Sequence, residues 1–166
     1  MVAREGQQKA TGGTEDPSVS PLRSAALAAG LLETACAPGS GDSLRLEVVR
    51  TLARDLKGEL EALVASANAG TGATQIEGVE GALRAADVAN LAACTVPELF
   101  RTRVPEVAAA AHLAAGAARA LGALVEVEIE DARGDHAQNV LKDARGAAWR
   151  ARLAARQVDE FLGKAV

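Results

Sequence analysis

Two arginines and a glutamate lie where a long helix is predicted to begin. Arg101 and Arg103 precede Pro105, which suits a first helical turn because its missing N–H would have no partner there, and Glu106 follows it. The free backbone N–H groups at a helix start attract anions, and guanidinium groups add charge and paired donors. These residues predict an anion-binding site, although two solvated loop arginines are the simpler interpretation.

The histidines and carboxylates do not form a metal-site pattern. Di-iron bundles use Glu-x-x-His pairs, but Ala109 and Arg133 stand three residues before His112 and His136. We therefore expect no metal site and no cofactor, a surface or hydrogen-bonded His112, and an exposed His136. An acidic cluster is expected to be a solvated face or a partner for arginines of the last helix. The cluster comprises Glu126, Glu128, Glu130 and Asp131, and the arginines are Arg145, Arg150, Arg152 and Arg156.

Composition limits the classes of protein to which the chain can belong. Its 166 residues fit one domain, and with 49% hydrophobic but only 2% aromatic residues the core must consist of Ala, Leu and Val. A net charge of −4 argues against nucleic-acid binding, which needs a basic surface. Apolar runs are short and no secretory signal is visible, so we expect a cytoplasmic protein without a membrane span. Cys36 and Cys94 are expected to be reduced core residues.

Caps and breakers divide the chain into helices. Residues 1–19 are expected to be a flexible polar segment, because they have too few apolar side chains to offset their ordering entropy, and 20–166 a single domain. Ser20 and Pro21 predict an N-cap and a first helical residue, and Pro38 with the glycines after it predicts the end of that helix. Similar signals predict helices at about 42–68, 74–93, 104–131 and 135–162, with a short turn at 95–100.

The end of the longest helix has a second interpretation. Residues 124–129 alternate with period two and are rich in β-branched side chains, which alone indicates a strand. A lone strand would have no partner elsewhere in the chain, so helix is favoured. The whole pattern predicts an all-α fold, an antiparallel bundle of five or six helices around a long, Ala-rich central helix at 104–131.

Several stretches resemble the formiminotetrahydrofolate cyclodeaminase family. Residues 16–27 (DPSVSPLRSAAL) are similar to the family's Pro- and Gly-rich entry into an Ala-rich first helix. Residues 59–63 (ELEAL) resemble the end of its charged helix, and 104–111 (VPEVAAAA) with 124–128 (LVEVE) match its Ala-rich helix in placement and spacing. The resemblance covers most of residues 16–131 and implies an all-α fold that dimerises through long helices.

The chain departs from the family's pattern at the residues of the family's active site. The glycine turn is absent. Other residues stand where the family has its active-site Asp, its turn asparagines and its closing asparagines: Leu56, Phe100, Thr102, Leu124 and Glu128. Only Ser24 and Glu106 retain a comparable polar group. The resemblance thus implies that the fold is kept and the cyclodeaminase chemistry is lost.

Two classes of function fit the sequence. The first, which we favour, is a non-catalytic bundle that acts as an oligomeric or partner-binding module. The chain has no Gly-rich phosphate loop and no nucleophile elbow, and it lacks most of the family's site residues. The alternative is an enzyme or ligand-binding relative of the cyclodeaminase family that acts on a folate-type or other anionic metabolite. Its site would comprise Arg101, Arg103 and Glu106, and the resemblance adds Ser24.

The long helix also predicts self-association. Residues 107–111 are apolar over a full helical turn, and Leu121, Leu124, Val125 and Ile129 extend the apolar surface toward the other end. A helix that is apolar on every side must be buried on every side, which four neighbouring helices achieve only partly in a chain of this length. A second copy related by a twofold axis would cover the remainder, so we expect a homodimer.

Overall fold

The computed structural model describes residues 17–40, 44–69, 75–129 and 134–164, which contain five α-helices. They are α1 (Val19–Ala35), α2 (Leu44–Asn68), α3 (Gln75–Thr95), α4 (Val104–Ile129) and α5 (Asp135–Lys164), with a turn of 3-10 helix at Val96–Glu98. None of the described residues lies in a strand. The all-α prediction is therefore confirmed, and residues 124–129 are helical, as favoured above.

The helices pack as a bundle. α4 lies against α1, α3 and α5, while α3 packs against all four other α-helices. α4 and α5 run antiparallel, because His112 contacts Asp159 whereas Glu126, further along α4, contacts Arg145 near the start of α5. The predicted bundle is thus confirmed, with α3 as the helix that every other α-helix touches.

Alanine forms most of the core. Fully buried alanines come from all five helices, among them Ala28, Ala53, Ala85, Ala114 and Ala151. The largest fully buried side chains are leucine, isoleucine and valine. The three aromatic residues of the chain all lie at the surface: Phe100, Trp149 and Phe161 are 53%, 64% and 37% exposed. The core is therefore aliphatic, as the composition predicted.

α2 contributes the narrowest buried face of the bundle. Its buried residues recur every seven positions, at Leu46, Ala53, Leu60 and Ala67. An α-helix has 3.6 residues per turn, so residues seven positions apart lie almost in line along it. A seven-residue repeat therefore directs one narrow row of side chains toward a neighbouring helix. That line faces the groove between α1 and α3, the helices against which α2 packs.

α1 begins two residues before the predicted start. Ser18 and not Ser20 occupies the N-cap position, and the Ser18 carbonyl accepts a hydrogen bond of 3.1 Å from the Leu22 N–H. Pro21 is the third helical residue, which is tolerated because the first four N–H groups of a helix have no intrahelical partner. Val19, at the end of the segment predicted to be flexible, is fully buried. Residues 1–16 of that segment lie outside the described residues.

Other predicted helix ends lie partly outside the described residues. These are the predicted starts of α2 and α3 and the acidic residues after α4: Asp42, Ser43, Thr74, Glu130 and Asp131. The predicted end of α5 is confirmed to within two residues, since the helix continues to Lys164. Gly134 precedes α5 with a φ of 132°, and its carbonyl accepts a hydrogen bond from the Gln138 N–H at 3.2 Å.

The bundle buries one side of α4. Leu121, Val125 and Ile129 are at most 1% exposed, so residues that we expected to extend an exposed surface lie in the core. The opposite side carries small and apolar residues spaced by alternating steps of four and three. We call this row the α4 stripe: Ala109, Leu113, Gly116, Ala120, Ala123 and Val127.

α4 is also the one helix of the described residues that is long and apolar enough to cross a membrane. Its most apolar window has a mean hydropathy of 1.4, and half of that window is buried inside the bundle. The core helix of a soluble protein has the same length and composition. The buried half of the window is the side of α4 that packs inside the bundle.

Candidate functional site

The structure brings two of the predicted anion-site residues together. Arg103 Nη1 donates hydrogen bonds to both carboxylate oxygens of Glu106, at 2.9 and 3.0 Å. Glu106 lies in the first turn of α4, where the helix dipole favours a carboxylate. An incoming anion would therefore compete with Glu106 for the Arg103 guanidinium, and Arg101 remains an exposed residue of the preceding turn.

Ser24 lies elsewhere on the bundle. Its hydroxyl donates to the Ser20 carbonyl at 3.0 Å, within α1. Its side chain borders a groove of about 530 Å³ between α1 and α4. That groove is lined on α4 by residues from Ala109 to Ala120, and neither Arg103 nor Glu106 lines it. Ser24 therefore does not join the arginines in one site.

A different group of polar residues lines the groove between α4 and α5, which has a volume of about 610 Å³. Small residues form its floor, and larger ones stand along its sides. We call it the α4–α5 groove. The floor residues are Ala115, Gly116, Ala148 and Ala155, and the residues along the sides are His112, Arg119, Trp149, Arg152, Arg156 and Asp159.

The groove is positively charged in a chain whose net charge is −4. Three arginines line it against the single carboxylate of Asp159. Arg156 Nε donates to Glu160 Oε1 on the same helix at 3.2 Å, whereas Arg119 and Arg152 form no ion pair with another described residue. A cluster of weakly hydrated guanidinium groups with free donors is suited to bind carboxylate or phosphate.

A histidine and an aspartate connect the two helices at one end of the groove. His112 Nε2 lies 2.8 Å from Asp159 Oδ1, and both side chains are about half exposed. The aspartate fixes the orientation of the imidazole, as predicted for a hydrogen-bonded His112. Among the described residues, no Ser, Cys or Thr lines the groove beside the histidine. The arrangement is suited to binding an anion.

The sequence interpretation missed this groove, although part of the signal was present. Trp149, Arg152 and Arg156 recur at helical spacing on α5, which places them on one face. From the sequence, the two arginines are interpreted only as possible partners of the acidic cluster on α4, which is otherwise expected to be a solvated face. Of the expected ion pairs between the acidic cluster and the arginines of α5, one forms among the described residues. It joins Arg145 Nε and Glu126 Oε1 at 2.7 Å.

The two cysteines differ in their surroundings, contrary to the expectation that both are core residues. Both thiols are free, but Cys94 is exposed. Residues Ala92 and Val96 around it face the core, and Cys94 lies between them on the outer side of α3. Cys36 is 2% exposed, and burial raises the pKa of its thiol to about 11.

Comparison with known proteins gives no family. No protein-family model matches the chain, and no curated protein is significantly similar to it. The cyclodeaminase resemblance therefore stays a prediction. Among the described residues, no group of three His, Cys, Asp or Glu side chains is placed to hold a metal ion.

Proposed function

We propose that the protein is a non-catalytic helical module that works as a cytoplasmic homodimer, with the α4 stripe as its interface. The observation that carries the proposal is the exposure of this apolar row along a helix whose other side is fully packed. Val127 is 71% exposed and Leu113 is 36% exposed. Exposed apolar rows of this length are typical of interaction surfaces.

The spacing of the stripe suits a second helix. Steps of four and three average 3.5 residues, so the stripe stays on one side of α4 over the 18 residue steps from Ala109 to Val127. This corresponds to about 27 Å at 1.5 Å per residue. Gly116 and Ala120 lie near its middle and Leu113 and Val127 toward its ends, so two helices can approach closely at the centre.

A second copy is the occupant that this surface fits best. A twofold axis places the same stripe on both sides of the contact, so small residues meet small residues without any further requirement on the sequence. A standard interface takes about 800 Å² from each partner. The stripe alone is too narrow for that area, so the adjoining edge of α1 at Ser20, Pro21 and Ser24 would contribute to the contact.

The membrane alternative for α4 is disfavoured by charge. His112 and Arg119 lie on the exposed side of the helix, within the stretch that would have to cross the bilayer. A charged arginine near the centre of a membrane is energetically unfavourable unless it is paired. A cytoplasmic protein whose stripe is covered by protein accounts for the same residues without this penalty.

The second candidate is a ligand-binding relative of the cyclodeaminase family that uses the start of α4. It is less favoured, because Glu106 already engages Arg103 and Ser24 lies beside another groove. A thermal-shift screen with folates and other polyanionic metabolites tests it. Stabilisation that is lost in Arg103→Ala would support this candidate, and no stabilisation across the panel would oppose it.

Sedimentation equilibrium at micromolar concentrations tests the homodimer. Leu113→Glu places a charge within the stripe and should give a monomer. Leu52→Glu is the matched control, because Leu52 is 44% exposed on α2, away from the stripe. A monomeric wild type, or a Leu113→Glu variant that still dimerises, would show that the stripe is not the interface.

A further inference from the structure

We infer that the α4–α5 groove binds a small anion that carries a planar aromatic ring, a function separate from the proposed dimerisation. Three properties of the groove support the inference: arginines supplied by two helices, an exposed indole beside them, and a floor of small residues.

The arginines form the anion-binding part. Arg119 on α4 and Arg152 on α5 line the same groove, so an anion between them would be held from both sides. Within the described residues, Arg156 pairs only with the exposed Glu160 on its own helix, and such a pair is weak enough to be exchanged for a ligand. Like charges that converge in this way repel one another, and a bound phosphate or carboxylate would relieve the repulsion.

Trp149 forms the ring-binding part. It is the only tryptophan of the chain, and its side chain is 64% exposed at the edge of the groove. Burial of an indole is favourable, and a planar ring stacked on Trp149 would bury it. Arg152 follows Trp149 by three residues, about one helical turn, so a ring on the indole brings its charged substituent close to Arg152.

The floor leaves room for such a ligand. The volume of about 610 Å³ lies within the range of small-molecule sites. Asp159, held by His112 at 2.8 Å, places a negative charge at one end of the groove. The anionic group is therefore expected beside Arg119 and Arg152, away from Asp159.

Quenching of Trp149 fluorescence tests the inference directly, because the chain has one tryptophan and no tyrosine. The probes are AMP and nicotinate, which join a ring to a phosphate and to a carboxylate, with adenosine and inorganic phosphate as halves of the first probe. Saturable quenching by AMP or nicotinate is expected, with affinity at least tenfold higher than for either half. The better of the two probes identifies the anionic group. No saturable quenching by either, or phosphate binding as tight as AMP binding, would overturn the inference.

Variants locate the binding. Arg152→Gln and Arg119→Gln should each lower the affinity for the better probe at least tenfold, because both arginines line the groove and neither belongs to the α4 stripe. Arg150→Gln is the matched control, because Arg150 lies two residues before Arg152 on α5 and does not line the groove. An equal loss of affinity in Arg150→Gln would show that the effect comes from the overall charge of α5, and this would overturn the proposed site. The Leu113→Glu variant should still bind the better probe, because Leu113 does not line the groove. The ligand site and the dimer interface can therefore be tested independently.

Discussion

Gly81 of α3 lies so close to Leu22 of α1 that a β-carbon at position 81 would come within 2.5 Å of Leu22 Cδ2. The same added β-carbon would lie 3.2 Å from Leu121 Cδ1 of α4. Both leucines are fully buried, so neither side chain can turn aside into solvent. The absence of a side chain at position 81 therefore allows three helices to meet.

Gly81→Ala should destabilise the protein, although alanine favours a helix by about 1 kcal/mol over glycine. Overpacking of a well-filled core lowers the free energy of unfolding by about 1–3 kcal/mol, which outweighs that gain. Gly58 on α2 is the control, since a β-carbon there would meet nothing within 4 Å. Gly58→Ala should stabilise by about 1 kcal/mol. Urea unfolding followed by far-UV circular dichroism measures both, and the same sign for both changes would contradict this account.

Leu60→Ala should weaken the attachment of α2 to the bundle. Leu60 is fully buried on the narrow face of α2, and loss of such a side chain lowers the free energy of unfolding by about 2–5 kcal/mol. Leu52 on the same helix is 44% exposed, so Leu52→Ala should change it by less than about 0.5 kcal/mol. Chemical denaturation compares the two variants. A similar small effect for both would mean that the seven-residue repeat does not hold α2.

The two thiols should react at different rates in the folded protein. Cys94 is exposed, whereas Cys36 is buried and holds its proton more tightly than a free thiol. Because the thiolate is the reactive form, a disulfide reagent such as DTNB should modify one thiol in the native state and the second only on unfolding. Cys94→Ala should remove the fast reaction. Rapid modification of both thiols in folded protein would show that Cys36 is accessible.

The same burial predicts a loss of stability at alkaline pH. Burial raises the pKa of Cys36 from 9.0 to about 11 in the folded state. Below pH 9 both states keep the proton, and the thiol has no effect on the pH dependence. Between pH 9 and 11 the unfolded state releases a proton that the folded state retains, so stability falls. The difference in free energy of unfolding between wild type and Cys36→Ala, measured at pH 8 and pH 10.5, should shift against wild type; a constant difference would refute the burial effect.

The ion pair between Glu126 and Arg145 should contribute little to stability. Their side chains are 43% and 66% exposed, and exposed pairs contribute below about 1 kcal/mol. A double-mutant cycle with Glu126→Gln and Arg145→Gln measures the coupling, which should decrease further in 1 M NaCl. A coupling that is large and insensitive to salt would indicate that the pair is shielded from solvent, for example by a second copy.

The sequence contained enough information for the helices but not for their faces. Breakers such as Pro38 and caps such as Asp135 are local signals, so helix order and the approximate ends could be predicted. On α4 the buried Ala110 and the exposed Ala109 are the same residue type, so no contrast between apolar and polar residues marks the buried side. That side depends on where α1, α3 and α5 place their own side chains.

The candidate site shows the same limit. Arg103 and Glu106 are only three residues apart, so their contact is local, and the sequence identifies both as candidate site residues. Arg119 and Arg152 are far apart in the chain and line one groove only because α4 and α5 pack antiparallel along these faces. A pattern on a single helix cannot predict that meeting.

The alanine core described above also determines how stability should depend on temperature. The heat capacity of unfolding rises with the apolar area that becomes exposed, and a buried alanine contributes only one methyl group. A core built largely from alanine thus implies a smaller heat-capacity change for its length than the usual value of about 12–15 cal/mol/K per residue. Alanine also has no rotamer freedom to lose on folding. The stability curve should therefore be flat and broad, with heat and cold denaturation far apart.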